Sequence, residues 1–160
     1  MALSKNIASL VGLILLLAYA VQLLFNVEWH WLSNLQVDEM YKRWSGLLLA
    51  VFILFQWALS LTRTVKKWKP YAMKMQNAHK WLGAISPFLF YIHSANMGYG
   101  YLLLLSYIFF ANTLLGYINL DVIKNNSDAL FKGWMIAHVA LSLVVSIMMV
   151  FHIIMVFYYK

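Results

Sequence analysis

The chain has 160 residues, of which 64% are hydrophobic and 11% charged, and it carries a formal net charge of +7. Soluble domains average about 45–50% apolar and about 25% charged residues, so this chain has too little polar surface to face water on all sides, and its solvent is lipid. The absence of cysteine excludes disulfides, iron–sulfur clusters and covalently attached c-type haem. Any redox cofactor would have to be held by nitrogen, oxygen or methionine sulfur.

Five apolar runs are read as membrane-spanning helices at 7–25, 44–62, 78–97, 99–120 and 134–159, within a single transmembrane domain covering residues 1–160. Each is close to the roughly 20 residues that cross the hydrocarbon as a helix. A helical bundle is expected because lipid cannot satisfy a bare backbone and no alternating barrel pattern is present. The fold class is therefore all-α.

Ahead of the first run, Lys5 and the "AYA" at 18–20 resemble a secretory signal with its cleavage site. The run continues through Phe25, however, and is expected to remain as a helix. The segment 26–43, "NVEWHWLSNLQVDEMYKR", is read as the largest outer loop, with His30 solvated. After the second run comes the basic loop "RTVKKWKPYAMKMQNAHK" at 63–80. Pro70 suits the early turn of the third helix, and Pro87 is expected to kink it. The turn "SANMGYG" before the fourth run is very short.

The basic residues orient the bundle. With loop 63–80 cytoplasmic, Arg63, Lys66, Lys67, Lys69, Lys74 and Lys80 fall inside, together with Lys5, Lys124 and Lys132; Lys42, Arg43 and Lys160 fall outside. This asymmetry places the N-terminus in the cytoplasm and the C-terminus on the outer side. The expected location is a bacterial inner membrane. The positive charge thus reads as topology and attraction to anionic lipid, not as a nucleic-acid surface.

Four of the five histidines fall into two stretches of equal spacing: "HKWLGAISPFLFYIH" at 79–93 and "HVALSLVVSIMMVFH" at 138–152. Fourteen helical steps return to within about 40° of the same face and rise roughly 21 Å. His79 and His93 therefore share a face at two depths, as do His138 and His152. With one helix between them, the third and fifth spans run parallel, so His79 is level with His138 and His93 with His152. Two facing imidazoles at each of two depths suit two b-type haems, whose irons take one axial nitrogen from each side. Their edges would be separated by roughly 10 Å once the porphyrins shorten the 21 Å rise. The alternatives are a haem-free structural role and bare metal ions; intramembrane carboxylates, which a transporter would need, are missing from the runs.

Gly83, one turn after His79, would let a porphyrin approach the backbone; Gly98 and Gly116 could do the same or serve ordinary helix packing. Lys80 and Lys132 lie near the inner pair and could meet haem propionates or mark the interface. Trp81, Phe88, Tyr91, Trp134 and Phe151 are candidate lining residues without individual roles, and the methionines are core filler.

The paired H-x13-H spacing, with the "HKWLG" opening and "HSANMG" ending, resembles the di-haem b-type membrane cytochromes, and most closely the ferric-reductase-like core shared with NADPH oxidases. The cytochrome b of quinol–cytochrome c oxidoreductases uses a similar device. The resemblance covers residues 70 to 160. It implies His79 and His138 as ligands of an inner haem, and His93 and His152 of an outer one. The flavin- and NADPH-binding domain of the oxidases has no counterpart here. The expected function is that of a di-haem cytochrome b subunit carrying electrons across the membrane between a quinone pool and a partner redox protein. A stand-alone ferric-type reductase and a haem-free scaffold or assembly protein are the competing readings.

Overall fold

The computed structural model describes residues 7–118 and 127–159. Lys5, Asp121, Lys124 and Lys160, like the end of the fourth run, lie outside the described residues. Within them the chain is all-helical, with no strand: α1 (Ile7–Phe25), α2 (His30–Leu35), α3 (Glu39–Gln56), α4 (Ala58–Thr64), a 3-10 turn (Lys66–Tyr71), α5 (Ala72–His93), α6 (Tyr101–Tyr117) and α7 (Asp128–Tyr158).

Three stretches are long and apolar enough to cross a membrane: α1, the 26 residues from Glu39 to Thr64, and α7. α3 starts where the Asp38 carboxylate accepts the Met40 backbone N–H at 2.8 Å, an N-cap that satisfies an otherwise orphan donor. Only Trp57 separates α3 from α4, and its backbone stays in the right-handed helical region. The third and fourth apolar runs differ from these three. α6 is apolar but has 17 residues, a length of roughly 26 Å. α5 has 22 residues, but Lys74, Gln76, Asn77, His79 and Lys80 dilute its first half. It also begins earlier than residue 78 and ends at His93, because the 3-10 turn carrying Pro70 feeds straight into it and the chain turns extended at Ser94.

Pro87 lies inside α5 and is fully buried, and the helix runs through it to His93. Proline removes the N–H that would have bonded the carbonyl of Gly83. Two hydroxyls take its place: Ser86 donates to that carbonyl at 2.8 Å and Tyr117, from α6, at 2.9 Å. The Tyr117 ring in turn rests on α1 where Gly12 leaves no side chain in its way.

Segment 26–43 is not simply a solvated loop. His30 is exposed, but Leu32 and Gln36 are buried. The Gln36 amide donates to the carbonyls of Tyr91 at 2.7 Å and Ile92 at 3.1 Å, and its oxygen accepts from the Ala95 N–H at 3.1 Å. The Tyr41 hydroxyl also donates to Ile92, at 3.0 Å. Together they satisfy carbonyls that the end of α5 leaves without helical partners. The segment therefore folds back over the C-terminus of α5, where His93 sits.

The five long helices meet in one core of Tyr19, Leu49, Phe90, Phe109, Phe110 and Val145. Phe90 stacks on Phe109 with centroids 5.3 Å apart, and Tyr19 on Phe110 at 4.7 Å. In α5 the positions 79, 83, 86, 90 and 93 share one face, as do 138, 142, 145, 149 and 152 in α7, so the core lies between the two histidine levels.

Candidate functional site

The spacing of the histidines brings them together in two sets. His79 of α5 and His138 of α7 stand with ring centroids 6.1 Å apart and planes nearly perpendicular, at 87°. A metal–nitrogen bond of roughly 2 Å on each side, with each ring centre ~1.1 Å further back, puts two imidazoles on opposite sides of one ion about 6 Å apart. His93 and His152 line a common cavity of about 1050 Å³. N-terminal histidine meets N-terminal histidine and C-terminal meets C-terminal, so α5 and α7 run parallel.

Neighbouring helices place a hydrogen-bonding group beside three of the four imidazoles. His79 Nδ1 lies 3.3 Å from the Gln56 carbonyl oxygen. A carbonyl can only accept, so Nδ1 carries the hydrogen and Nε2 keeps its lone pair, the tautomer a metal ligand needs. His93 Nδ1 lies 3.1 Å from the Ser45 hydroxyl, and His152 Nδ1 lies 3.4 Å from that of Tyr101. His138 stacks flat on Trp134, with centroids 5.9 Å apart and planes within 2°. α3 thus holds both histidines of α5, while α6 holds one histidine of α7 by Tyr101 and backs the other with Gly116.

Glycine lets these helices come close. A Cβ at Gly46 would stand 2.8 Å from Cε1 of His93, and one at Gly116 would stand 3.2 Å from Cε1 of His138. At Gly83 a Cβ would meet nothing within 4 Å, so the face one turn beyond His79 is open. Gly98 acts on the backbone instead. With φ at +76° it shapes the turn after α5 and packs against Leu102.

Other residues expected at the site divide. Trp134 and Tyr91 are there, the first against His138 and the second lining the outer cavity. Phe151 packs edge-on to Tyr101 with centroids 5.3 Å apart, while Trp81 and Phe88 are exposed. Lys80 is half-buried and Lys132 exposed, and no hydrogen bond or ion pair within the described residues ties either to the inner pair. At the outer cavity the cations are Lys42 and Arg43, the latter 3.4 Å from Glu39 and over the Phe157 ring.

The donor set is compatible with haem. Among the described residues no three His, Asp or Glu side chains gather as a bare-ion site would use. A pair of imidazoles at one level, with the remaining positions left to the cofactor's own ring, is what a bis-imidazole haem site uses. The outer cavity is at the upper end of the ~300–1,000 Å³ typical of cofactor and ligand pockets. Around the inner pair, the Gln56 side chain and Asn112 Oδ1 are buried without hydrogen-bond partners, so the protein's own bonding is incomplete at that level.

Sequence reasoning alone misses Ser45, Gly46, Gln56, Tyr101 and Gln36 as site residues. A signal exists for three of them. Gln56 is the one amide in a largely apolar run, and Ser45-Gly46 is a small pair at the N-terminal end of the same run. Compared with family models, curated proteins and solved structures, the chain gives no match.

Proposed function

We propose that this chain is a five-span membrane subunit that holds two b-type haems and passes electrons across the bilayer. His79 and His138 hold the inner haem, His93 and His152 the outer one. The observation that carries this reading is the inner pair: two imidazoles at 6.1 Å, one with Nδ1 committed to a backbone carbonyl and Nε2 free to bind. Bound there, the haems supply one-electron redox centres at two depths.

The chain's own part is to hold and insulate. α3 and α6 fix the imidazoles, and the aromatic core separates the two histidine levels. In this reading α5 and α6 also cross, the polar first half of α5 lying at the cytoplasmic surface with the basic loop 63–80. N-terminus inside and C-terminus outside then follow, in a bacterial inner membrane. Electrons enter from a quinol or a partner redox protein and leave to the other of these two; stand-alone reduction of an external ferric acceptor is the second reading, favoured by the breadth of the outer cavity.

The test is pyridine haemochrome analysis and a visible spectrum of the purified full chain. Two low-spin b-type haems per chain are expected. A haem-free protein, a ratio of one, or a high-spin spectrum would remove this reading and leave a structural role for the histidines.

A further inference from the structure

Resting on the di-haem reading, we propose that Ser45 is a positioning residue of the outer site: its hydroxyl oxygen accepts a hydrogen bond from His93 Nδ1–H and so sets the electron affinity of the outer centre. Ser45 Oγ donates to the Lys42 carbonyl in its own helix at 3.3 Å and faces His93 Nδ1 at 3.1 Å. In the proposed arrangement the Ser45 hydrogen stays on the Lys42 carbonyl and the hydroxyl oxygen accepts from His93 Nδ1–H, which leaves Nε2 its lone pair.

The next residue makes this grip rigid. At Gly46 the α3 backbone is pressed so close that a Cβ would stand 2.8 Å from Cε1 of His93. The ring therefore has a wall on one side and a hydrogen-bond acceptor on its Nδ1 edge. The other three histidines are held differently. His79 uses a backbone carbonyl, which no side-chain substitution removes; Tyr101 stands further from His152, at 3.4 Å; His138 Nδ1 has no side-chain hydrogen-bond partner among the described residues. Of the side-chain hydrogen bonds described for the four rings, that of Ser45 is the shortest.

The consequence is electronic. An imidazole whose N–H is bonded to an acceptor is a better donor through its other nitrogen, and a better donor favours the oxidised, more positive metal. Losing the acceptor raises the midpoint potential of that centre alone. Inner and outer centres are thus set separately, the inner by a fixed carbonyl and the outer by a replaceable hydroxyl.

The experiment is a redox titration of full-length wild-type, Ser45→Ala and Ser45→Thr proteins in membranes, followed by visible absorbance. The outer signal is identified as the one missing from His93→Ala. Ser45→Ala should move the outer midpoint in the positive direction, leave the inner midpoint in place, and be reversed by Ser45→Thr. Loss of the outer haem in Ser45→Ala that Ser45→Thr restores supports the proposal equally. An unmoved or more negative outer midpoint, an equal shift of both centres, or a Ser45→Thr protein that behaves like Ser45→Ala overturns it. A wild-type protein without haem fails the di-haem reading itself; two haems with an unshifted Ser45→Ala protein fail only the role of Ser45.

Discussion

The hydroxyl of Tyr117 donates to the carbonyl oxygen of Gly83 at 2.9 Å, and Gly83 is the residue whose helical partner Pro87 removes. A fully buried proline between the two histidines of α5 leaves a carbonyl that needs a donor from within the protein. α6 supplies a donor beside that of Ser86, and this bond ties the part of α5 between its histidines to its neighbour.

Tyr117→Phe should therefore destabilise the protein by ~1–3 kcal/mol, the cost of leaving a buried polar group short of a partner. Ser86 still donates to the same oxygen, which favours the lower part of that range. Pro87→Ala restores an N–H to the ladder, so in that background Tyr117→Phe should cost less. Thermal unfolding in detergent of the four proteins of this cycle reads the coupling. Additive effects would mean that the hydroxyl and the proline are unrelated.

Much of this arrangement is legible in the sequence, and the reason is periodicity. The H-x13-H spacing returns to one helix face, so the pairing of levels needs only helices and parallel directions. The first apolar run coincides with α1 because no charged residue interrupts it and only Ser9 and Gln22 are polar. What escapes depends on contacts distant in sequence. Gln36 lies in a polar stretch and reads as solvated, yet it is buried because carbonyls 55 and 56 residues away need its amide. The Gln56 carbonyl becomes a partner for His79 through the packing of α3 on α5, and a backbone acceptor leaves no mark in side-chain patterns. The apolar run from residue 78 marks only the less polar part of α5, while Pro70 already points to an earlier start, and the 3-10 turn that carries it feeds α5 at Ala72.

Gln36→Leu should weaken the outer level selectively. It strips donors from Tyr91 and Ile92 and an acceptor from Ala95, at the C-terminal end where His93 closes α5. The expected loss is ~1–3 kcal/mol, with the outer haem absorbance lowered or broadened and the inner one unchanged. Tyr41 still reaches Ile92, so the helix end should loosen without unravelling. Equal damage to both signals would show that the cap serves the whole bundle.

Gly46 and Gly116 should respond to alanine in a graded way. At 2.8 Å from His93 Cε1 a new Cβ forces the ring or the helix to move; at 3.2 Å from His138 Cε1 a shift of a few tenths of an ångström suffices. Gly46→Ala should disturb the outer spectrum strongly, and Gly116→Ala should disturb the inner one mildly. Overpacking of this kind costs about 1–3 kcal/mol. The reverse order of severity would contradict the closeness of α3 to His93.

Orientation is open to labelling because the chain has no native cysteine. Arg63, Lys66, Lys67, Lys69 and Lys74 crowd the 3-10 turn and its flanks, which should face the cytoplasm. A cysteine at Lys67 should stay unlabelled by an impermeant reagent in intact cells and react in inverted vesicles. Labelling from outside would reverse the assigned topology.

The pairing of the histidines gives the sharpest separation of outcomes. His79 and His138 already stand 6.1 Å apart, and His93 and His152 share one cavity, whereas a crossed pair would have to bridge roughly 21 Å of helical rise. His79→Ala and His138→Ala should each remove the same inner haem signal and spare the outer one. His93→Ala and His152→Ala should do the reverse. Transmembrane electron transfer should fail in all four, since a single remaining centre leaves half the membrane to cross. The two signals should also respond unequally to an applied potential, because a charge moved through the full field changes energy by roughly 2.3 kcal/mol per 100 mV and the two levels sit at different depths. If His93→Ala and His138→Ala eliminated the same signal, α5 and α7 could not be parallel, and the two-level arrangement would have to be abandoned.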